Sequence, residues 1–218
     1  MTKLLLAGAT GLVGGEALKL LLADERVTRI VAPTRRPLPP HPKLLNPITD
    51  SGDLPLDAEW WTVDGAMCAL GTTRAQAGSA AAFRAIDHDY VLAIARRVRK
   101  SGATRFALIS SMGANARSRF LYTRTKGELE DAVSRLRFPS LTVIRPGFLG
   151  GNRSEHRPME RIIGILLRIA APILPASARI SPASTVAAVL VEAAFGGDLG
   201  KHIVNSADIA VTAARGHP

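Results

Sequence analysis

The sequence contains a single cysteine, Cys68, so no disulfide can form within the chain. A secretory signal is not expected either, because Gly8 follows only four apolar residues after Lys3 and ends the run too early for the apolar core of such a signal. Both observations favour a reducing compartment. We therefore expect a cytoplasmic protein.

Long hydrophobic runs are also missing. The longest apolar stretch covers residues 162–174, but Arg168 and Pro172 interrupt it, and it is shorter than the roughly 18 residues that a membrane-spanning helix needs. No transmembrane segment is expected. This stretch fits a lid over a substrate pocket, a dimer face or a membrane-surface contact, and we expect the lid. Both a monomer and a homodimer remain open.

Aromatic residues are few, at 5 % of the chain, which argues against a nucleic-acid-binding surface despite a net charge of +10. The basic residues are spread along the chain and are not interleaved with aromatic stacking residues. The densest basic run, at residues 96–100, closes a predicted helix, where cations interact favourably with the helix dipole. No nucleic-acid partner is therefore expected.

Clusters of metal-ligating residues are absent as well. The chain has five histidines, which are far apart and have no cysteine or carboxylate at ligand spacing: His41, His88, His156, His202 and His217. Cys68 lies in an apolar run and is interpreted as a buried strand residue. No metal site is expected.

The composition that is present is that of one packed domain, with 218 residues of which 47 % are apolar and 21 % charged. Short apolar runs alternate with amphipathic segments along the chain. The runs predict strands at 3–7, 29–33, 44–48, 66–70, 105–110, 141–145 and 202–205. The amphipathic segments predict helices at 12–23, 80–100, 121–136, 159–170 and 183–195.

This order of elements predicts an α/β fold, a Rossmann-type doubly wound parallel sheet with helices on both faces. We expect a single NAD(P)-binding domain over residues 1–218. Residues 150–195 are too few for a second domain, and we expect them to contribute a small substrate cap.

A glycine-rich turn joins the first strand to the first helix and reads Gly8-Ala9-Thr10-Gly11-Leu12-Val13-Gly14. Gly8 permits a tight turn, Gly11 lets the backbone approach a pyrophosphate, and Gly14 lets the helix pack closely on the strand. The helix N-terminus supplies amides and positive dipole to the anion. The turn therefore predicts a dinucleotide site that includes Gly8, Thr10, Gly11, Leu12, Val13 and Gly14.

The end of the second strand distinguishes the two nicotinamide cofactors, because an acid there binds a ribose 2′-hydroxyl and an arginine binds a 2′-phosphate. This chain has Arg35 and Arg36 there and no acid, which favours NADP(H) over NAD(H). The alternative is that both arginines are ordinary surface charges. Further cofactor contacts are predicted along the same edge: Asp50 at the adenine, unless it is a plain turn residue, Leu70, Gly71 and Thr72 after the fourth strand, and Pro146 and Leu149 at the nicotinamide.

Three residues form a candidate acid/base site. Tyr122 and Lys126 are four apart on a predicted helix and therefore share one face, and Ser111 follows the fifth strand. An ammonium lowers the pKa of a nearby phenol, and a hydroxyl can hold a substrate carbonyl. The alternative is an ordinary amphipathic helix.

The order of these motifs resembles the Tat-interacting-protein (CC3-like) oxidoreductases, an atypical group of short-chain dehydrogenases/reductases. The resemblance is carried by residues 68–74 (CALGTTR), by Asp87-x-Asp89-Tyr90-Val91, and by residues 110–114, 120–128 and 145–147. It implies an NADP-binding Rossmann domain with Gly8, Gly11 and Gly14 at the pyrophosphate, Arg35 and Arg36 at the 2′-phosphate, and Ser111, Tyr122 and Lys126 as catalytic residues.

The chain departs from the broader superfamily at two points. Asp87 stands near the place of an asparagine that holds a proton-relay water, and the spacing from Ser111 to Tyr122 is shorter than in the classical enzymes. The sequence thus predicts an NADP(H)-dependent oxidoreductase that reduces a carbonyl or oxidises an alcohol. The alternative is an NADPH-sensing interaction protein with little turnover. Arg153, Arg157 and the helix from Met159 are candidates for gripping a substrate, or they are surface residues.

Overall fold

The fold is built on a parallel sheet, and the computed structural model describes residues 2–50, 54–150, 181–196 and 198–214. The strands of this sheet are β1 (Thr2–Ala7), β2 (Val27–Val31), β3 (Leu44–Leu45), β4 (Gly65–Cys68), β5 (Arg105–Ile109), β6 (Ser140–Arg145) and β9 (Gly200–Asn205). Two further short strands, β7 (Leu149–Gly150) and β8 (Ser181–Pro182), pair with each other. The seven-stranded sheet has the order β3-β2-β1-β4-β5-β6-β9, with every pairing parallel. The predicted Rossmann-type class is confirmed.

Helices cover both faces of this sheet. Their bounds are α1 (Leu12–Ala23), α2 (Arg74–Ala77), α3 (Ala80–Arg84), α4 (Val91–Lys100), α5 (Leu121–Ser134), α6 (Ala183–Phe195) and α7 (Ser206–Ala214). Alternate strand residues enter opposite cores, as the two-residue repeat of a strand requires. Leu5 packs on the side of α4 and α5, whereas Leu4 and Leu6 pack on the side of α1 and α6.

The helix predicted over 80–100 is not α-helical throughout. Between α3 and α4 the chain forms a π-helical segment, Ala85–Tyr90, in which Asp87 is fully buried. A π-helical turn holds more residues than an α-helical turn, so it rotates the side chains that follow, and such turns often occur at functional sites. Phe83, Asp87 and Val91 follow one another at the four-residue spacing of one helix face and are all buried, so the aspartate lies on the inner side of this stretch.

The remaining differences from the predicted elements are local. Strand β2 begins and ends two residues earlier than predicted, and β3 is reduced to two residues, followed by an isolated pairing of Thr34 with Ile48. The short helix α2, a 3₁₀ turn at Glu59–Trp61 and helix α7 were not predicted. Each is short or lies near a chain end, where a periodic pattern has few residues to act on.

Helix α6 packs with α1 against one face of the sheet. The cap predicted for 150–195 stays a prediction, and residues 151–180, which include Arg153, Arg157 and the helix predicted from Met159, lie outside the described residues. Among the described helices, none combines the length and the apolar character needed to cross a bilayer.

The basic run at the end of α4 has structural partners. The Arg97 guanidinium donates to the Leu54 carbonyl at 2.9 Å and lies over the Trp61 ring. Arg99 donates to the Leu136 carbonyl at 3.3 Å. These two cations therefore connect α4 to neighbouring loops.

The strand order places a crevice between β1 and β4, where the order of strands reverses. Ligands of open parallel sheets bind outside the carboxyl ends of the strands at such a reversal. The loops that follow β1, β2, β4 and β5 carry most of the predicted site residues.

Candidate functional site

The turn after β1 passes very close to the end of β4. Gly8 has φ +88°, and a Cβ atom built on it would lie 2.7 Å from the Ala69 carbonyl carbon. A Cβ on Gly14 would lie 1.9 Å from the Gly8 carbonyl oxygen. Only glycine fits either position, so α1 begins in contact with the strand that precedes it.

The start of α1 is open to an external anion. Gly11 is the N-cap residue, no side chain caps the helix, and its first turn contains no acidic residue. The first amides of a helix have no partner within the helix, and they carry the positive end of its dipole. The backbone at Leu12 and Val13 is thus arranged as a pyrophosphate site requires.

The turn after β2 turns its threonine inward and its arginines outward. The Thr34 hydroxyl donates to the Arg36 carbonyl at 2.6 Å, and the Asn46 amide donates to Thr34 Oγ1 at 2.8 Å. Arg35 and Arg36 are exposed. Both guanidinium groups are therefore free to reach a ligand phosphate beside this turn.

The segment after β3 lies beside the same turn. The Thr49 amide donates to the Thr34 carbonyl at 2.9 Å, which places Asp50 next to the arginines. Burial raises the pKa of the half-buried Tyr90 phenol, Asp50 raises it further and Arg35 opposes this. Tyr90 therefore lies near both groups. The sequence analysis named Tyr90 only as part of the motif that carries the family resemblance and gave it no place in the site.

The loop after β5 presents an unpartnered buried hydroxyl. Within the described residues, Ser111 Oγ is buried and has no hydrogen-bond partner. An unsatisfied buried hydroxyl costs free energy, so a ligand that fills this need gains affinity. The Met112 amide donates to the Pro146 carbonyl at 2.9 Å, which brings the loop after β6 to the same place.

Helix α5 holds this loop through a contact at Gly127. A Cβ on Gly127 would lie 2.2 Å from the Ala116 amide nitrogen, and the Asn115 amide donates to the Thr123 carbonyl at 3.0 Å. Sequence reasoning did not assign a role to Gly127. A glycine in the middle of a predicted amphipathic helix was the available signal.

Tyr122 and Lys126 lie one turn apart on α5. Tyr122 is 44 % exposed and packs at 5.9 Å from the Phe83 ring, whereas Lys126 is only 3 % exposed. The Tyr122 phenol is among the groups that favour the charged form of Lys126, so the two groups interact electrostatically. The exposed phenol and the buried ammonium thus lie on the helix that packs against the loop carrying Ser111.

Lys126 forms an ion pair that sequence reasoning missed. Its Nζ atom lies 2.7 Å from Asp87 Oδ1, and the other Asp87 oxygen accepts the Thr72 amide at 2.7 Å. Burial lowers the pKa of Lys126, but the surrounding groups, with the Asp87 carboxylate first among them, together outweigh burial and raise the pKa overall. Lys126 therefore keeps its charge. A Cβ on Gly71 would lie 3.7 Å from Lys126 Nζ, so the chain after β4 passes beside the pair.

A second buried ion pair lies one turn further along α5. Glu130 accepts two hydrogen bonds from Arg145, at 3.0 and 2.6 Å, and one from the Ser110 hydroxyl. It joins the ends of β5 and β6 to the helix. Sequence reasoning missed this acid because its partners are distant in sequence.

Other predicted residues have clear positions. Leu70 follows β4 beside Gly8, Pro146 follows β6, and Leu149 opens β7. Cys68 is fully buried, and burial raises its thiol pKa to about 12. In the part of the chain that the structure describes, no cluster of three histidine, cysteine or acidic side chains is placed to bind a metal.

Comparison with known proteins identifies a group of fungal relatives. The chain is 39 % identical over 170 residues to the mitochondrial protein fmp52 of Emericella nidulans, which covers 74 % of this chain and 73 % of the relative. It is 38 % identical over 166 residues to the mitochondrial FMP52 of Candida albicans, which covers 72 % and 71 %. No family model matches the chain.

Solved structures share the fold at low sequence identity. MoeE5 in complex with UDP-glucuronic acid and NAD has a TM-score of 0.73 and 17 % identity, covering 93 % of this chain and 75 % of MoeE5. The Bordetella bronchiseptica enzyme WbmH in complex with NAD⁺ has a TM-score of 0.68 and 16 % identity, covering 94 % and 76 %. The likeness shows that this chain has the Rossmann-type fold of these proteins.

Two expectations from the sequence need correction. The curated relatives carry the name Fmp52 and not that of Tat-interacting proteins, so Fmp52 is the family that the comparisons show. The cytoplasmic expectation is wrong, because these relatives are named as mitochondrial proteins. Having one cysteine and no signal-peptide core argues against secretion, but it does not separate the cytoplasm from a reducing organelle.

Proposed function

The chain belongs to the Fmp52 family, and from this premise we propose that it is an NADP(H)-dependent oxidoreductase that interconverts a small carbonyl compound and its alcohol. One observation carries the proposal: the glycine turn after β1 and an unpartnered buried Ser111 hydroxyl after β5 lie at the same edge of the sheet, where Lys126 is held charged next to the chain after β4.

The residues present fit a nicotinamide dinucleotide. Gly8 leaves no room for a side chain between the turn and the end of β4, and Gly14 leaves none between α1 and the turn. The first amides of α1 are available for the pyrophosphate. Thr10, Gly11, Leu12, Val13, Leu70, Gly71 and Thr72 would line the path of the cofactor. Pro146 and Leu149 would border the nicotinamide. When bound, the cofactor supplies or accepts the hydride.

The acid/base residues have separate roles in this proposal. The Ser111 hydroxyl donates a hydrogen bond to the substrate oxygen, because no other partner among the described residues occupies it. The Tyr122 phenol donates the proton to that oxygen during reduction. The Lys126 ammonium stabilises the phenolate that results and binds the nicotinamide ribose.

The preference for NADP(H) is supported by the turn after β2. Arg35 and Arg36 are exposed there, and Thr34, which occupies the position before them, is committed to the Arg36 carbonyl. A guanidinium forms bidentate, charge-assisted hydrogen bonds with a phosphate, so a 2′-phosphate gains affinity at this turn. Asp50 lies beside the arginines at the adenine end.

The substrate side of the site carries exposed apolar side chains. Met112 follows Ser111, Phe120 precedes α5, and Phe148 follows Pro146, with exposed fractions of 43 %, 77 % and 55 %. These side chains would contact an apolar group beside the reacting carbon. We expect apolar carbonyl compounds to be the better substrates.

Calorimetric titration with NADPH and NADH at physiological salt tests the cofactor. We expect NADPH to bind at least tenfold more tightly, about 1.4 kcal/mol, and Arg35→Ala to remove most of the difference. Arg29→Ala is the matched control, because Arg29 is an exposed arginine on β2 itself. Failure to bind either cofactor would overturn the proposal.

Turnover is tested by NADPH consumption across a panel of aldehydes and ketones. Tyr122→Phe removes only the phenol hydroxyl, so we expect it to abolish consumption while NADPH affinity stays within a few-fold. A wild-type protein that binds NADPH but consumes none would contradict the enzymatic proposal and favour a nucleotide-sensing role.

A further inference from the structure

The Asp87 carboxylate connects two segments that both border the crevice. It is fully buried in the π-helical segment, one oxygen lies 2.7 Å from Lys126 Nζ on α5, and the other accepts the Thr72 amide 2.7 Å away. Thr72 belongs to the chain after β4. The carboxylate therefore uses both oxygens to hold α5 and the β4 loop in one arrangement.

The π-helical segment carries two acids, one inside the protein and one at its surface. Asp87 and Asp89 are two residues apart, yet the Asp87 side chain is fully buried and the Asp89 side chain is 61 % exposed beside His88. Residues two apart do not share a face of a helix, so one of these two equal charges is internal and the other external. Asp89 provides a natural control for the loss of a negative charge in this segment.

A buried lysine needs a negatively charged partner to remain protonated. Removing an ammonium from water is costly, and an unpaired buried lysine loses its proton at a pH several units below normal. An ammonium group has three donors. The Lys126 ammonium lies 2.7 Å from Asp87 Oδ1, and this carboxylate balances its charge.

We propose that Asp87 is a positioning residue, which holds the Lys126 ammonium and the Thr72 backbone in a single fixed geometry for the cofactor and for Tyr122. Its catalytic consequence rests on the proposed oxidoreductase function. The positioning itself is a property of the folded protein and exists without turnover.

The groups that face Lys126 come from three elements. Asp87 faces it from the π-helical segment, Tyr122 from its own helix, and Cys68 from β4. Cys68 is protonated at neutral pH because burial raises its pKa. Asp87 is thus the carboxylate that balances the ammonium charge.

The test compares wild type, Asp87→Asn and Asp89→Asn by NMR titration of the lysine side-chain ¹³Cε signals. The Lys126 signal is assigned by its loss in Lys126→Met. We expect wild-type Lys126 to stay charged up to pH 10, and Asp87→Asn to lower its midpoint by at least about 2 units, as burial without a counter-ion demands. Asp89→Asn should leave the midpoint unchanged. An Asp87→Asn midpoint equal to that of wild type would overturn the proposal.

NADPH titration of the same variants gives the second readout. We expect Asp87→Asn to weaken NADPH binding about tenfold and Asp89→Asn to leave it within twofold. An Asp87→Asn affinity equal to that of wild type contradicts the positioning role. Neither readout needs a substrate, so absence of carbonyl turnover would overturn the proposed function without affecting this test.

A third variant covers the case in which Asp87→Asn does not fold. The double variant Asp87→Asn with Lys126→Met removes both charges, so we expect it to fold even where the single variant does not. Recovery of folded protein supports the pairing. If neither variant folds, Asp87 acts through another contact and the proposal is wrong.

Discussion

Helix α5 carries two buried ion pairs one turn apart, and they differ in what surrounds them. Lys126 meets Asp87 at the edge of the crevice, beside Tyr122 and the chain after β4. Glu130 meets Arg145 beneath the loops, through two hydrogen bonds, and its acid also accepts the Ser110 hydroxyl.

The difference shows that burial of an ion pair does not by itself indicate function. The Glu130 pair uses several acceptor positions of its acid within the protein, so it joins β5, β6 and α5 and has little capacity for a ligand. The Lys126 pair engages its ammonium with one carboxylate and leaves donors towards the crevice. The Glu130–Arg145 pair therefore has the character of a structural connection, and the Lys126–Asp87 pair has that of a functional site.

The largest effect is expected on turnover, when the Lys126–Asp87 pair is broken. Lys126→Met removes the charge beside Tyr122, so we expect NADPH-dependent turnover to fall about 10²–10⁴-fold, the usual contribution of acid/base assistance. Glu130→Gln keeps the size of the side chain and should retain turnover within a few-fold per folded molecule. Initial rates of NADPH consumption measure both. Equal losses in the two variants would mean that the pairs do not differ in function.

The Glu130–Arg145 pair should contribute more to the stability of the fold than to turnover. Glu130→Ala leaves the Arg145 guanidinium without its partner, and we expect the free energy of unfolding to fall by about 3–5 kcal/mol. Urea unfolding measures this loss. Replacing Arg145 by methionine in the same chain should recover part of it, and a double variant as unstable as the single one would speak against a pairwise interaction.

The residue between the two pairs joins them to the Ser111 loop. Gly127→Ala forces a Cβ into the backbone of residues 115 and 116, so we expect a loss of about 2–3 kcal/mol in unfolding free energy. Gly15→Ala is the matched control, because its Cβ would meet nothing closer than 3.8 Å and alanine favours a helix. Thermal unfolding of both variants makes the comparison, and equal melting temperatures would contradict the close approach.

The smallest expected effect is a pH dependence of stability from Cys68, the thiol near the Lys126–Asp87 pair. Burial raises its pKa to about 12 in the folded chain, above the roughly 8.5 of an unfolded thiol. The folded chain binds the proton more tightly, so this stability is complete below about pH 8.5 and is lost as pH rises towards 12.

At pH 9.5 we expect a loss of about 1 kcal/mol relative to pH 7 that Cys68→Ala does not share. Urea unfolding of both proteins at the two pH values measures the difference. Parallel pH profiles would show that the thiol titrates alike in the folded and unfolded chains.

Elements with strong local patterns could be predicted from the sequence. The bounds of α1 and α6 agree with the prediction, because each has a continuous apolar face over at least 12 residues. The π-helical segment could not be predicted in this way, since one extra residue in a turn does not disturb an apolar pattern enough to be recognised. The same holds for β3, whose two residues give almost no pattern.

The residues of the candidate site likewise fall into those that a local pattern predicts and those that it does not. The glycines after β1 and the four-residue spacing of Tyr122 and Lys126 are local signals, and they placed these residues on the turn and the helix where the structure has them. Asp87 and Glu130 were missed as partners. They lie 39 and 15 residues from Lys126 and Arg145, and local periodicity contains no information on such pairs.

The sequence by itself determined the fold class, the glycine turn and the helix that carries Tyr122 and Lys126, because spacing and side-chain type within a few residues control strands, turns and helix faces. Only the tertiary structure decided which charges pair, that Thr72 and Lys126 share one carboxylate, and which glycine holds the Ser111 loop. These contacts follow from the packing of segments distant in the chain, where burial selects a partner for each charge.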